Sequence, residues 1–157
     1  MIREIFVLFI ATSFTADFAA ATTVLECSTG KVNRNPKAVS ISKCDQPPCL
    51  LKRKTTIDVE QHFVPDRDVH SLKTSVNAAV LGVSLPFVGV DGSNACNQIY
   101  NVDGSKASCP LTKGTEYVYK NSFPVLQIYP RIAVKVHWAL TEGPDNIACF
   151  EVPAQIM

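Results

Sequence analysis

Six cysteines, Cys27, Cys44, Cys49, Cys96, Cys109 and Cys149, are the residues with the most sharply limited chemistry. An even number of thiols in an exported chain reads as three disulfides. More than a dozen pairings are open, and spacing by itself does not choose. Local plausibility favours Cys44 with Cys49, across the turn-rich Asp45-Gln46-Pro47-Pro48, and Cys96 with Cys109, around Asn97, Asn101, Asp103 and Gly104. That leaves Cys27 with Cys149. A zinc site is not expected, because Cys44 and Cys49 lack a second matching pair or a nearby His. His62, His70 and His137 have no metal-ligand spacing, and His137 falls on the polar face of a strand, as an ordinary surface or rim histidine. No Gly-x-Ser-x-Gly elbow, His-Glu-x-x-His motif or phosphate-cradling glycine loop is present. Asp66 and Asp68 form a close acidic pair with nothing apolar beside them to raise a pKa, so they read as an exposed loop. Lys52-Arg53-Lys54 is a solvated cluster that could steer an anionic partner. A non-enzymatic protein without cofactor or resident metal is expected.

The composition agrees. The chain has 157 residues, 46% of them hydrophobic, and 15 Lys plus Arg against 14 Asp plus Glu. That balance leaves no cationic excess for nucleic acid, and the apolar content is too high for a disordered chain. Residues 1–21 read as a secretory signal peptide: Arg3 precedes the apolar run Ile5 to Ala11, and Ala19 and Ala21 supply a small-residue cleavage site. The run is shorter than the about 20 apolar residues that span a bilayer. Residues 22–157 then form one domain, secreted to the extracellular fluid or to an endosome- or lysosome-like lumen. No Asn-x-Ser/Thr sequon is present, which argues against glycan-directed routing.

The elements that must hold these residues are short strands. Ile132, Val134, Val136, Trp138 and Leu140 alternate with Arg131, Ala133, Lys135, His137 and Ala139, the period of a half-buried strand. Thr55 to Phe63 places Ile57, Val59 and Phe63 on one face and Thr56, Asp58, Glu60 and His62 on the other. Glu116 to Lys120 and Ala148 to Val152 are β-rich, and Leu72 to Val83, although its spacing also fits a helix, is read as strand. Turns fall at Pro65-Asp66, Asp91-Gly92, Asp103-Gly104, Lys113-Gly114 and Gly143-Pro144. The expectation is an all-β, antiparallel sandwich of about seven strands.

The ordered set Cys27, Cys44-Asp45-Gln46-Pro47-Pro48-Cys49-Leu50, Gly82 to Phe87, Cys96, Cys109-Pro110-Leu111, Gly114 to Tyr119, Phe123-Pro124-Val125, Tyr129-Pro130, Trp138-Ala139-Leu140 and Cys149 to Pro153 resembles the ML lipid-recognition domain family. The likeness is to the branch that holds the soluble Niemann-Pick type C sterol carriers and the group two mite allergens. It covers nearly all of the chain after the leader. The resemblance implies an immunoglobulin-like β-sandwich with a hydrophobic cavity between its sheets, and cysteines paired first with sixth, second with third, fourth with fifth. It also implies a portal formed by Phe87, Val125 and Tyr129. Lys52-Arg53-Lys54 departs from the Lys-Gly of many relatives, and the Cys96 to Cys109 connection is longer than in the vertebrate carrier.

A lipid pocket between such sheets is expected to measure about 300 to 1,000 Å³, with Val134, Val136 and Trp138 as wall or filled core and Val125 as a rim residue free to turn outward. Sterol binding and transport follows, with a membrane sterol transporter or a lipid membrane as further partner and a monomeric state. Two other readings are a recognition protein for bacterial lipids, with Lys52, Arg53 and Lys54 on their phosphates, and a carrier of fatty acids or semiochemicals.

Overall fold

The computed structural model describes residues 20–27 and 38–157. Most of the expected signal peptide, including Arg3, the apolar run and Ala19, lies outside the described residues. Ten strands follow in chain order: β1 (Val39–Ile41), β2 (Cys49–Leu51), β3 (Thr56–Phe63), β4 (Lys73–Val80), β5 (Val83–Pro86), β6 (Ile99–Asn101), β7 (Lys106–Ala107), β8 (Tyr117–Pro124), β9 (Ala133–Glu142) and β10 (Asp145–Ile156). One sheet has the order β1-β3-β8-β6-β7 and the other β2-β10-β9-β4-β5.

The all-β sandwich is as expected, with two corrections. Among the described residues there are ten strands in place of about seven, because five of them have two to four residues, too short to display a period. The sheets are also not wholly antiparallel: β2 runs parallel to the end of β10, with Cys49 opposite Ala154 and Leu51 opposite Ile156. The ambiguous Leu72 to Val83 segment is strand over Lys73–Val80, and then turns through Leu81 and Gly82 into β5. Both turn residues have positive φ, 49° and 82°, a backbone that glycine adopts freely and leucine rarely.

Alternation places the core where the period requires it. Ile57, Val59 and Phe63 on β3 and Val134, Val136, Trp138 and Leu140 on β9 are buried, and Thr56, Asp58 and Lys135 are exposed. The interior is aromatic at its centre. Trp138 stacks on Phe150 with ring centroids 6.2 Å apart, and Phe123 and Tyr119 lie 5.6 and 6.3 Å from it. Such pairs add about 0.5–1.5 kcal/mol each beyond their buried area.

All three disulfides form: Cys27–Cys149, Cys44–Cys49 and Cys96–Cys109. The first fastens the amino-terminal segment to β10, beside the backbone exchange of Leu25 with Glu151. Cys27, His137 and Cys149 bring their donor atoms together. The two sulfurs are bonded to each other, so they are not available as thiolate ligands. His137 is not a plain surface residue. It is half-buried against Cys149, and its Nδ1 is 3.3 Å from Glu151. Burial works to raise the Glu151 carboxyl, but hydrogen bonds from Lys135 and His137 outweigh it and hold the group below its ordinary range.

Candidate functional site

Among the described residues, two small apolar cavities lie between the sheets. The outer one, about 40 Å³, is lined by Ala78, Val80, Leu85, Pro86, Phe87, Tyr129, Pro130, Ile132, Val134 and Ile156. The inner one, about 20 Å³, is bounded by Val59, Phe123, Val136, Trp138, Phe150 and Val152 among others. Both are far smaller than the pocket expected from lipid dimensions. Apolar side chains from the two sheets close on each other, as packing at organic-crystal density requires.

The strands distribute the expected site residues between the two cavities. Phe87, Tyr129 and Val134 line the outer cavity, and Val136 and Trp138 line the inner one. Phe87 is buried, and its ring meets Tyr129 edge-on at 5.4 Å and Phe123 at 5.6 Å, so it stands between the two. Its backbone N–H donates to Val76 and its carbonyl accepts from Asp91, which anchors the Pro86 to Asn94 connection to β4. The Asp91 carboxylate in turn accepts the Val76 N–H at 2.7 Å.

Val125 departs from the expectation. It is 1% exposed and belongs to the lining of neither cavity, so it has no room to turn outward. Backbone bonds cause this: the Val125 N–H donates to Thr55 and its carbonyl accepts from Lys54, locking the residue against the β2–β3 turn as β8 ends.

That turn carries the Lys52-Arg53-Lys54 cluster, and the middle residue is not a solvated charge. The Arg53 guanidinium donates from Nη1 to the carbonyls of Gln127 and Tyr129, at 3.1 and 3.3 Å. It braces the loop that carries Tyr129, a role that three adjacent like charges do not signal. Lys52, Lys54 and Arg131 share the adjoining surface. Beside the outer cavity lie large exposed apolar side chains: Val83, Leu85 and Val88, with Leu81 at 101% and Ile128 at 82% exposure. Asp66 and Asp68 are a loop pair as expected, and Asp68 accepts the Lys113 N–H.

One inward residue went unread. Gln61 sits between Val59 and Phe63 on the buried face of β3 and is itself 0% exposed. The period of two that located its neighbours would have located it.

The geometry is that of a disulfide-stapled β-sandwich with an apolar interior and an aromatic cluster of Phe87, Phe123 and Tyr129 beside the outer cavity. A family model described as the ML domain matches residues 21–156, and the chain belongs to the ML-domain family. NPC intracellular cholesterol transporter 2 homolog a of Drosophila melanogaster is 38% identical over 145 residues, covering 88% of this chain and 90% of that protein. NPC intracellular cholesterol transporter 2 of Bos taurus is 31% identical over 121 residues, covering 76% of each. Among solved structures, a Niemann-Pick type C2 protein from Japanese carpenter ant matches with a TM-score of 0.64 at 29% identity, covering 76% of this chain and 89% of that one. Among the described residues, no helix is long and apolar enough to cross a membrane.

Proposed function

We propose that this chain is a non-enzymatic carrier that binds a sterol between its two sheets and transports it. The observation that carries the reading is the apolar lining of the two interior cavities, with Phe87 and Tyr129 on the outer one and Trp138 on the inner one, in a chain 38% identical to a fly protein named as a cholesterol transporter. Burial of a sterol's surface at about 25 cal/mol per Å² supplies the driving force without directional contacts. Because the two cavities are small, binding is coupled to separation of the gate: Phe87 leaves its edge-on contacts, and the loop held by Arg53 moves with Tyr129.

Phe87, Val125 and Tyr129 form the entrance in this reading, with Val134, Val136 and Trp138 as walls. Val125 acts through the turn it packs against rather than as an open rim. The exposed Leu81, Val83, Val88 and Ile128, flanked by Lys52, Lys54 and Arg131, are the surface that meets a membrane or a membrane sterol transporter during transfer. Removal of residues 1–21 and export as a monomer to the extracellular fluid or an endosomal lumen complete the proposal, supported by three disulfides that an oxidising compartment preserves.

Native mass spectrometry of the protein purified from its source, beside titration with a fluorescent sterol, tests the reading. A bound mass matching one sterol and saturable one-to-one binding are expected. A phospholipid or fatty-acid mass, with no sterol binding, would overturn it.

A further inference from the structure

Three donor side chains converge where the amino-terminal segment meets β9 and β10. The Sγ atoms of Cys27 and Cys149 each lie 3.9 Å from Nδ1 of His137, and the Cys149 sulfur lies 3.7 Å from Nε2 of the same ring. On a tetrahedral zinc ion, a sulfur and a nitrogen ligand stand about 3.6 Å apart and two sulfurs about 3.8 Å, given bonds of about 2.3 Å to sulfur and 2.0–2.1 Å to nitrogen. The imidazole therefore already stands near ligand spacing from both sulfurs. What bars a metal is the covalent bond between the sulfurs themselves. Among the described residues, neither of the other cysteine pairs belongs to such a group of three donors.

The surroundings are those a metal-binding histidine needs. Glu151 Oε1 is 3.3 Å from His137 Nδ1, and its Oε2 is 2.7 Å from Lys135 Nζ. A carboxylate on one ring nitrogen fixes the tautomer and the ring orientation, and it leaves the other nitrogen, here Nε2, to a metal. Two thiolates would neutralise a divalent ion, while Lys135 balances Glu151. Cys27, Cys149 and Glu151 are buried and His137 is half-buried, so bulk water is largely kept out. Cys27 also has anchors besides the disulfide. Leu25 exchanges both backbone hydrogen bonds with Glu151, Thr23 donates to the Asp45 carbonyl and Thr22 to that of Val39. With Cα atoms 6.0 Å apart, the two cysteines can place their sulfurs at ligand spacing by side-chain rotation once the bond between them opens.

We propose that Cys27, Cys149 and His137 form a redox-gated zinc site, closed to metal as the disulfide and opened by its reduction. The opening step is thiol–disulfide exchange. A dithiol reductant gives two electrons and two protons, its own sulfurs join as a disulfide, and Cys27 and Cys149 become thiols. Zn²⁺ then displaces the two thiol protons and takes Nε2 of neutral His137, with water as the fourth ligand. Thiolate and imidazole donors together favour zinc over calcium or magnesium. Glu151 is a positioning residue, which acts through the imidazole. The metal would hold the amino-terminal segment on β10 in the reduced chain, as the disulfide does in the oxidised one. None of these residues lines either apolar cavity, so the site is independent of the ligand that the protein carries.

The test uses the full chain, oxidised or reduced with a dithiol that is removed before metal is added, and Co²⁺ and Zn²⁺ as probes. The reduced wild type is expected to take one equivalent of Co²⁺ with thiolate-to-cobalt charge-transfer absorption and the intense visible bands of a tetrahedral ion, both erased by Zn²⁺. The oxidised chain should show neither. Cys27→Ser with Cys149→Ser leaves the other two pairs in place and should abolish the bands. His137→Gln keeps all six cysteines and should weaken Co²⁺ binding by more than the about tenfold expected of Glu151→Gln, which removes only the orienting carboxylate. Zn²⁺ should also shield Cys27 and Cys149, and neither other pair, from alkylation, as read by peptide mass mapping. Loose thiols of an unfolded reduced chain would bind cobalt without regard to His137. Equal binding in wild type and His137→Gln, tetrahedral bands that persist in the double serine variant, or alkylation of Cys27 and Cys149 unchanged by Zn²⁺ would therefore overturn the site and leave His137 as a packing neighbour of a structural disulfide.

Discussion

The hydroxyl of Tyr129 accepts the backbone N–H of Val88 at 3.0 Å, so the two segments that carry these residues are tied to each other. The tie sits beside the edge-on packing of Tyr129 on Phe87. One segment is the connection after β5 and the other is the loop between β8 and β9, and in the entrance proposed above a ligand that passes between them breaks this bond.

Tyr129→Phe keeps the ring and removes the latch. We expect a small loss of stability, about 0.5–1.5 kcal/mol for one hydrogen bond. Sterol dissociation should quicken more than affinity falls, because the ring contact with the ligand is retained. Stopped-flow transfer of a fluorescent sterol to vesicles measures this, and an unchanged release rate would show that the bond does not gate exit.

The burial of Val125 reverses a naive expectation for an entrance residue. Val125→Phe must overpack a site that is 1% exposed, at a cost of about 1–3 kcal/mol. Val125→Asp should cost more, since an unpaired carboxylate is left buried. Urea denaturation reports both: a lower midpoint at unchanged slope is expected. A wild-type midpoint in Val125→Phe would mean that the side chain finds room outside the packed turn.

Acid should act through Glu151 and Glu142. The backbone N–H groups of Ser71 and His70 hold Glu142 below its ordinary value of 4.5. Hydrogen bonds from Lys135 and His137 depress Glu151 against the opposing effect of burial. A carboxylate depressed in the folded state stabilises the fold fully above its unfolded value, and that contribution disappears as pH falls through the folded value. The fold should therefore keep these contributions at about pH 5 and lose them below about pH 4.5. Melting temperature followed from neutral pH to about pH 3 should fall less steeply in Glu151→Gln, from a lower starting point. An identical acid limb in the variant would assign the acid response to other groups.

Cys27–Cys149 closes a loop with a sequence separation of 122 and Cys44–Cys49 one of 5. On chain-entropy grounds the longer closure constrains the unfolded ensemble more, by about 2 kcal/mol or above, so replacing Cys27 and Cys149 with Ser should cost more than replacing Cys44 and Cys49. Denaturant midpoints for the two double variants compare them, and equal losses would mean that local packing dominates over loop closure.

Period-two patterning on β3 and β9 is a local property, and it alone determined which faces of Thr56–Phe63 and Ala133–Glu142 are buried. The order of the cysteines and of the Pro-Phe and Tyr-Pro elements was enough to place the chain among ML domains before any coordinates. The size of the interior was not legible, because it depends on how closely two whole sheets approach, the sum of every inward side chain and of the loops that cap them. Val125 was misplaced for a related reason: what encloses it is the β2–β3 turn, met only through backbone bonds to Thr55 and Lys54. Arg53 reads in sequence as one of three like charges, yet its partners lie more than 70 residues away, at Gln127 and Tyr129. Gln61 divides between the two sources. Its inward direction follows from its place between Val59 and Phe63, while the lack of a hydrogen-bond partner for its amide among the described residues is decided by Val39 and Tyr119 standing beside it and by the sheet that closes over them.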